Sequence, residues 1–275
     1  MSDNDDIQIG RILSRREVLV LLGAAGTAVT IGACAPSAAA SPSGNAASAS
    51  SSGAASGGTA SASTGATSSE LAGTPSCVVK PALTEGPYFV DEKLNRSDIT
   101  ANADGSNPRQ GAALSLAFAV SKVASSGCTP LANALVDVWH CDAVGSYSDI
   151  NAGGNGSDTT GQNWLRGYQL TDASGKATFK TIYPGWYQGR TVHVHFKIRT
   201  DAGASGGTEF TSQLFVDDAI SDAVFGNAPY STKGSRGIRN DGDSIYGQSN
   251  GQLTLALAGD ATSGFTTTFA VGLQG

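Results

Sequence analysis

The sequence predicts an all-β fold, a single β-sandwich domain that follows an export signal and a disordered linker. Three observations lead to this prediction. Residues 71–275 contain many short runs of alternating apolar residues, glycine-rich turns separate these runs, and helical periodicity is nearly absent. The net charge of −6 and the lack of a basic run argue against nucleic acid as a partner.

Residues 1–34 have the features of an export signal. The apolar run 18–31 is too short to span a bilayer but suits a signal-peptide core. Arg15 and Arg16 precede it, as in twin-arginine signals, and the Ile-Gly-Ala-Cys sequence ending at Cys34 is similar to a bacterial lipobox. We therefore expect an exported protein of the cell envelope, lipid-anchored at its cysteine or secreted. An ordinary n-region and an ordinary thiol are the alternatives.

The segment 35–70 consists almost entirely of Ala, Ser, Gly and Thr. Such a composition cannot bury enough apolar surface to offset the entropy of ordering the chain. We expect a disordered linker here, so that any membrane contact is made only through the lipid anchor. The folded domain then comprises residues 71–275, which is ample for one core.

Eight strands are expected in this domain. In the first of them, apolar side chains alternate with small or polar ones over 113–123. A helical turn is expected near 217–224, and Asp172–Lys176 is a hairpin turn signal. The strands are predicted at 113–123, 134–140, 168–170, 177–182, 191–199, 209–216, 252–258 and 265–273.

The strand 191–199 holds two of the three histidines of the chain. Because strand side chains alternate, His193 and His195 share one face, while the valines and other apolar residues between them face the core. Tyr187 lies before a glycine-containing turn, so a phenol can join the two imidazoles. This pattern predicts a metal site, since imidazole is the commonest metal ligand.

A second phenol, Tyr147, follows a glycine turn after the strand 134–140. With it, the sequence resembles the intradiol ring-cleavage dioxygenases, particularly the exported branch related to protocatechuate and catechol dioxygenases. The family fold is a β-sandwich, in agreement with the strand pattern. The blocks that carry the resemblance are 84–88 with 96–99, 136–147, 179–196, and 211–215 with 217–218.

The resemblance implies one non-haem Fe(III) per chain. Its ligands would be Tyr147, Tyr187, His193 and His195. Phenolate is a hard, anionic donor and suits Fe(III) better than zinc or Cu(I). The implied reaction cleaves a catechol-type aromatic diol with O2 between the two hydroxylated carbons, and its products are of the cis,cis-muconate type. The sequence leaves open which catechol is used and how many chains assemble.

The resemblance also assigns roles around the iron. Tyr187 would give way to the substrate, and Arg190 would stabilise negative charge that develops on the ring. The positions that match the substrate pocket or the surroundings of the oxygen site are Gly86, Pro87, Tyr88 and Gln213.

Three cysteines remain once Cys34 is set aside. An exported domain meets oxidising conditions, so one disulfide is expected. Cys128 and Cys141 bracket one extended strand and should lie too far apart to bond. Cys77 is therefore expected as one partner, with Cys128 preferred over Cys141 as the other.

The sequence is also compatible with functions other than an iron-dependent dioxygenase. A zinc hydrolase could use His140, His193 and His195, but this leaves both tyrosines unexplained. Three histidines are too few for a copper–zinc superoxide dismutase. A surface lipoprotein whose sandwich is a non-enzymatic binding module is the alternative from a different class, since fold does not imply function.

Overall fold

The computed structural model describes residues 78–200 and 207–274, and its strands form a β-sandwich, as the sequence predicts. The predicted export signal and the predicted linker, together with Cys34 and Cys77, lie outside the described residues. The strands in chain order are β1 (Ala113–Ala124), β2 (Gly127–Pro130), β3 (Leu135–Trp139), β4 (Arg166–Leu170), β5 (Lys176–Ile182), β6 (His193–Arg199), β7 (Glu209–Phe215), β8 (Ala258–Asp260) and β9 (Gly264–Gln274).

The described strands form two sheets. In the first, β1 runs parallel to β9 along one edge, pairs antiparallel with β2 and β5 along the other, and β8 extends the sheet from β9. The second sheet has the order β4-β3-β6-β7 and is antiparallel throughout. This second sheet carries the two histidines.

Aromatic and branched side chains fill the space between the sheets. Phe118 of β1 lies 5.2 Å from Phe196 of β6, measured between ring centroids, so this pair joins the two sheets. Val194, Phe196 and Ile198 are fully buried, as the alternation of β6 predicts. Because β6 has one face in this core, His193 must project from the opposite face.

Helices occupy the connections after β3 and β7. The expected helical turn near 217–224 is a helix, α2 (Asp218–Phe225), whose N-cap Asp217 accepts a hydrogen bond from the backbone of Ala219. The described helices are α1 (Ala152–Asn155), α2 (Asp218–Phe225) and α3 (Ser244–Gln248), with 3-10 helices at Tyr230–Lys233 and Asn240–Gly242. None of these helices has the length and apolarity needed to cross a membrane.

The prediction of a strand at 252–258 is wrong. The chain leaves α3 through a turn, and only two backbone hydrogen bonds join this segment to Phe215. The N–H of Phe215 donates to the carbonyl of Leu253, and the N–H of Leu255 donates to the carbonyl of Phe215. Leu253 and Leu255 are buried by this contact, so their alternation reflects burial without a ladder. The strand of this region is β8, which begins at Ala258.

The short strand β2 was not predicted, and it contains Cys128. Cys128 is disulfide-bonded, whereas Cys141 is a buried free thiol. Cys141 is therefore not the partner. The pairing of Cys128 with Cys77 stays a prediction, because Cys77 lies outside the described residues.

Candidate metal centre

The two histidines of β6 lie on the outer face of the second sheet, yet both are buried. His195 pairs in register with Trp139 of β3 on one side and Gln213 of β7 on the other, and Trp139 pairs with Arg166 of β4. The indole of Trp139 stacks on the His195 ring, with centroids 5.0 Å apart and planes 10° apart. A row of four buried side chains therefore forms the floor of the site.

Four side-chain donor atoms converge above this floor. His193 Nε2 lies 3.0 Å from His195 Nε2, 3.3 Å from the Tyr147 hydroxyl and 3.2 Å from the Tyr187 hydroxyl. The four residues predicted as metal ligands are therefore brought together. They lie at most 48 residues apart along the chain. The β3–β4 connection carries Tyr147, the β5–β6 connection carries Tyr187, and strand β6 carries both histidines.

The protonation of His193 leaves a lone pair at this point. His193 Nδ1 lies 2.7 Å from the carbonyl of Thr191, which can only accept, so Nδ1 carries the proton. Burial, followed by the charge of Arg190, lowers the pKa of His193 to about 3, and burial also lowers the pKa of His195 well below its usual value. His193 is therefore neutral, with the Nε2 lone pair directed at the other donors.

The phenols are equally uncharged in the chain by itself. Burial raises the pKa of Tyr187 to about 12 and that of Tyr147 well above its ordinary value. A bound cation would have to displace both phenolic protons, which a trivalent ion can do by direct coordination.

These donors fit a single metal ion. Ligand atoms that bind one ion at about 2.0–2.1 Å lie roughly 3 Å apart, which is the spacing found here. His195 Nδ1 is buried without a hydrogen-bond partner in the described chain. Within the same residues, no group of three or more His, Cys, Asp or Glu could hold a metal, so the tyrosines are essential to this donor set. Two phenols and two imidazoles suit hard Fe(III).

His140 does not join the histidine pair. Its Nδ1 lies 2.8 Å from the carbonyl of Cys141, and its Nε2 lies 2.7 Å from the hydroxyl of Thr181. Burial lowers the pKa of His140 to about 4, so the ring is a neutral structural group. The three-histidine zinc site therefore lacks its third ligand.

The two tyrosines stand on loops that touch backbone to backbone. Gly145 has φ +84°, and a Cβ at this position would lie 2.1 Å from the carbonyl oxygen of Trp186. A Cβ at Gly185 would lie 2.5 Å from the carbonyl oxygen of Asp142. Only glycine permits this approach, and the approach brings both phenols to the histidines.

Arg190 is held beside the four donors by two side chains. Its Nε donates to Asp243 Oδ2 at 2.8 Å, and its Nη2 donates to Gln213 Oε1 at 2.7 Å. Its Nη1 then lies 3.5 Å from His193 Nε2. Gln213 is fixed in turn, because its amide donates to the carbonyl of Thr84 at 2.8 Å.

Asp243 is a site residue that the sequence did not reveal. Besides Arg190, it accepts from the backbone of Thr191 at 2.9 Å and, as the N-cap of α3, from Ile245 and Tyr246. Burial would raise the pKa of Asp243, but these hydrogen bonds hold it below its ordinary value. The Asp–Ser–Ile pattern is a helix-start signal, yet nothing in it points to an arginine 53 residues earlier.

The segment 83–92, here called the strap, covers the outer face of β6. Glu85 forms an ion pair with the buried Lys197, and Asp91 lies 3.2 Å from Arg199. Because Lys197 and Arg199 continue the face that bears the histidines, these pairs fasten the strap over the site.

The strap brings two of its three predicted residues to the donors. A Cβ on Gly86 would lie 3.1 Å from the His195 ring, so the glycine backbone packs directly on this imidazole. Tyr88 stacks on Tyr147 with centroids 4.5 Å apart. Pro87 is exposed and forms the turn between them.

Arg166 is another residue beside the site that the sequence did not predict. Arg166 is buried beside Tyr147, with its guanidinium carbon 6.0 Å from the phenol ring, and donates to the carbonyl and hydroxyl of Ser148. Burial lowers the pKa of Arg166 to about 10, which leaves it charged. Arg166 lies beside Trp139 because β4 pairs with β3, and no local sequence motif predicts this pairing.

Gly145→Ala tests whether the close approach of the two tyrosine loops matters beyond the strain of a left-handed backbone. The substitution should lower the free energy of unfolding by at least about 2 kcal/mol, because it adds overpacking to a left-handed conformation. Gly105→Ala is the matched control, since Gly105 has φ +81° and open space around it. Urea unfolding would measure both. An equal loss of unfolding free energy in the two variants would show that the contact between the loops does not contribute to stability.

Known proteins are similar to this chain in sequence and in fold. A family model described as "Dioxygenase" matches residues 84–225, slightly more than half of the chain. A chlorocatechol 1,2-dioxygenase from Pseudomonas sp. (strain P51) is 32% identical over 179 residues, which cover 54% of this chain and 61% of that protein. Catechol 1,2-dioxygenase 2 from Acinetobacter lwoffii is 28% identical over 155 residues, 50% of this chain and 51% of that protein. The chain thus spans about half to three fifths of these curated relatives.

Solved structures of other proteins are also similar to this chain. An intradiol ring-cleavage dioxygenase from Tetranychus urticae has a TM-score of 0.61 and 26% identity, covering 72% of this chain and 95% of that one. A 3-chlorocatechol 1,2-dioxygenase from Rhodococcus opacus 1CP, at 23% identity and a TM-score of 0.51, shares the fold over 70% of this chain and 72% of its own. The chain belongs to the intradiol ring-cleavage dioxygenase family.

Proposed function

We propose that this chain is an Fe(III)-dependent dioxygenase that cleaves a catechol-type aromatic diol with O2 between the hydroxylated carbons, giving a cis,cis-muconate-type product. The observation that carries the proposal is the convergence of Tyr147, Tyr187 and His195 within 3.0–3.3 Å of His193 Nε2. Family membership supports the same reaction class.

One Fe(III) per chain would be held by these two phenolates and two imidazoles. When bound, Fe(III) makes an electron-rich diol ring reactive toward O2. Zinc, the metal of the alternative hydrolase, matches hard phenolate donors less well. The family match and the missing third histidine both favour iron.

The two phenols differ in burial, and this supports different roles. Tyr147 is fully buried beneath Tyr88, whereas Tyr187 is only half-buried and meets Tyr88 edge to face at 5.9 Å. A half-buried phenol can move aside when a substrate with two hydroxyl groups enters, while a packed one stays in place. Tyr187 is therefore the donor that gives way.

Arg190 would act on the substrate ring. A guanidinium has no lone pair for a metal, so its position 3.5 Å from His193 Nε2 gives it another task. Asp243 and Gln213 fix its fork, and a preorganised cation of this kind stabilises negative charge as it develops on the diol. Gly86 and Tyr88 would help to exclude water from the same space.

We also propose that the chain is exported by a twin-arginine route and anchored through Cys34. A route that carries folded proteins allows the metal to be inserted before export. Arg15→Lys/Arg16→Lys should keep the protein in the cytoplasm, and Cys34→Ala should release it from membranes. Cell fractionation would measure both, and an unchanged distribution of the two variants would refute this part of the proposal.

The ligand assignment predicts distinct effects for imidazole and phenol. His193→Ala/His195→Ala should abolish tight Fe(III) binding, because it removes half of the donors. Tyr187→Phe should keep some iron, alter the visible absorption and lower turnover of catechol by at least about tenfold. Metal analysis, visible spectra and oxygen uptake would be measured.

Tyr168→Phe is the control for Tyr187→Phe, since Tyr168 is a partly exposed tyrosine of β4. It should leave iron content and colour unchanged. A double histidine variant that still holds one iron and cleaves catechols would place the site elsewhere.

Substitutions of Arg190 should affect turnover without affecting metal binding. Arg190→Ala should keep iron and colour yet lose turnover by roughly a hundredfold or more. Arg190→Lys should recover part of this loss, since a point charge cannot reproduce the guanidinium fork. Asp243→Asn, which removes the anion but leaves the arginine, should give an intermediate rate.

Iron content, the spectrum with bound catechol, and oxygen uptake would be compared. Arg239→Ala removes a surface arginine and serves as the control. Loss of iron from Arg190→Ala would make this residue structural, and full activity would give it no part in the reaction.

A further inference from the structure

Lys233 lies at the junction of the two tyrosine loops. Its ammonium group donates to the carbonyl of Val144 and, at 2.7 Å, to the carbonyl of Trp186. Val144 precedes Tyr147 by three residues, and Trp186 is adjacent to Tyr187. One side chain thus bonds to both of the loops that present the phenols.

In the described chain, few direct hydrogen bonds join the two loops to each other, and one of them is from the thiol of Cys141 to the carbonyl of Gly185 at 3.5 Å. Across the junction, the N–H of Gly185 donates to the carbonyl of Asp142 at 3.0 Å. The close approach at Gly145 leaves no room for a Cβ beside the Trp186 carbonyl, so two carbonyl-bearing backbones crowd together. Lys233 supplies charged N–H donors to one carbonyl of each loop and so joins the two backbones.

Lys233 is itself held in place. It ends the 3-10 helix Tyr230–Lys233, in which the buried Tyr230 donates its hydroxyl to the carbonyl of Tyr183 and accepts from the backbone of Ala112. The Lys233 ammonium group also lies 4.7 Å from the centroid of the Trp186 ring. The loop of Tyr187 is therefore braced by this helix at two points along its length.

This residue lies outside 84–225, the range that matches the family model. We propose that Lys233 is a positioning residue of the metal centre, which holds the backbones of both tyrosine loops so that the two phenols meet the histidines. The inference rests on the proposed function for the identity of the metal. Its effect on the loops can be tested without any metal.

The test uses Lys233→Met, which keeps most of the unbranched apolar side chain and removes the ammonium donors. In the metal-free full-length protein, hydrogen exchange should rise at least about tenfold in peptides covering 142–147 and 184–189, and stay unchanged in β1 and β9. In the metal-bound protein, Fe(III) affinity should fall at least about tenfold, and the tyrosinate absorption band should shift. Lys233→Arg should restore most of the protection and of the band.

Lys122→Met, at an exposed position of β1, is the control and should match the wild type. If Lys233→Met fails to fold, the same measurements are made on Lys233→Gln. Its shorter neutral amide cannot reach both carbonyls, so the same changes are expected. Wild-type exchange in both loops, with unchanged iron affinity and colour, would overturn the proposal for Lys233. Wild-type protein that binds no iron would instead overturn the proposed function, while the metal-free exchange result would still decide the role of Lys233.

Discussion

The site depends on the backbone contact between the two loops that carry Tyr147 and Tyr187. Gly145 and Gly185 allow this contact, since a Cβ at either glycine would meet a carbonyl oxygen of the other loop. The second sheet supplies a rigid surface below it, on which β6 presents both histidines. A wider spacing of the loops would move both phenols away from the imidazoles, so the convergence of the four side chains depends on these glycines.

Burial determines the electrostatics of this centre. It lowers the pKa of His193 to about 3 and raises the pKa of Tyr187 to about 12, so the donors carry no charge in the chain itself. A cation bound by these four residues would displace the phenolic protons, so its binding would be coupled to proton release. Arg190 adds a cation at the edge of the site, and its partner Asp243 balances it. The proposed Fe(III) ion would supply the positive charge that two phenolates require.

The parts that follow local rules could be predicted from the sequence. The two-residue period of β6 places His193 and His195 on one face, and the resemblance to intradiol dioxygenases adds Tyr147 and Tyr187. Contacts between distant segments could not be predicted in this way. Asp243 reaches Arg190 across 53 residues, and Lys233 reaches Val144 across 89. The apolar alternation at 252–258 was misleading, because burial against Phe215 produces the same pattern as a paired strand.

The central claim is that two phenolates and two imidazoles bind one Fe(III). X-ray absorption and resonance Raman spectra of the iron-loaded wild-type protein test this claim most directly. The account predicts one iron per chain, a visible tyrosinate-to-iron absorption band, and a coordination shell with two imidazole nitrogens and two phenolate oxygens. Iron bound without tyrosinate vibrations, or a colourless protein that selects zinc over iron, would contradict it.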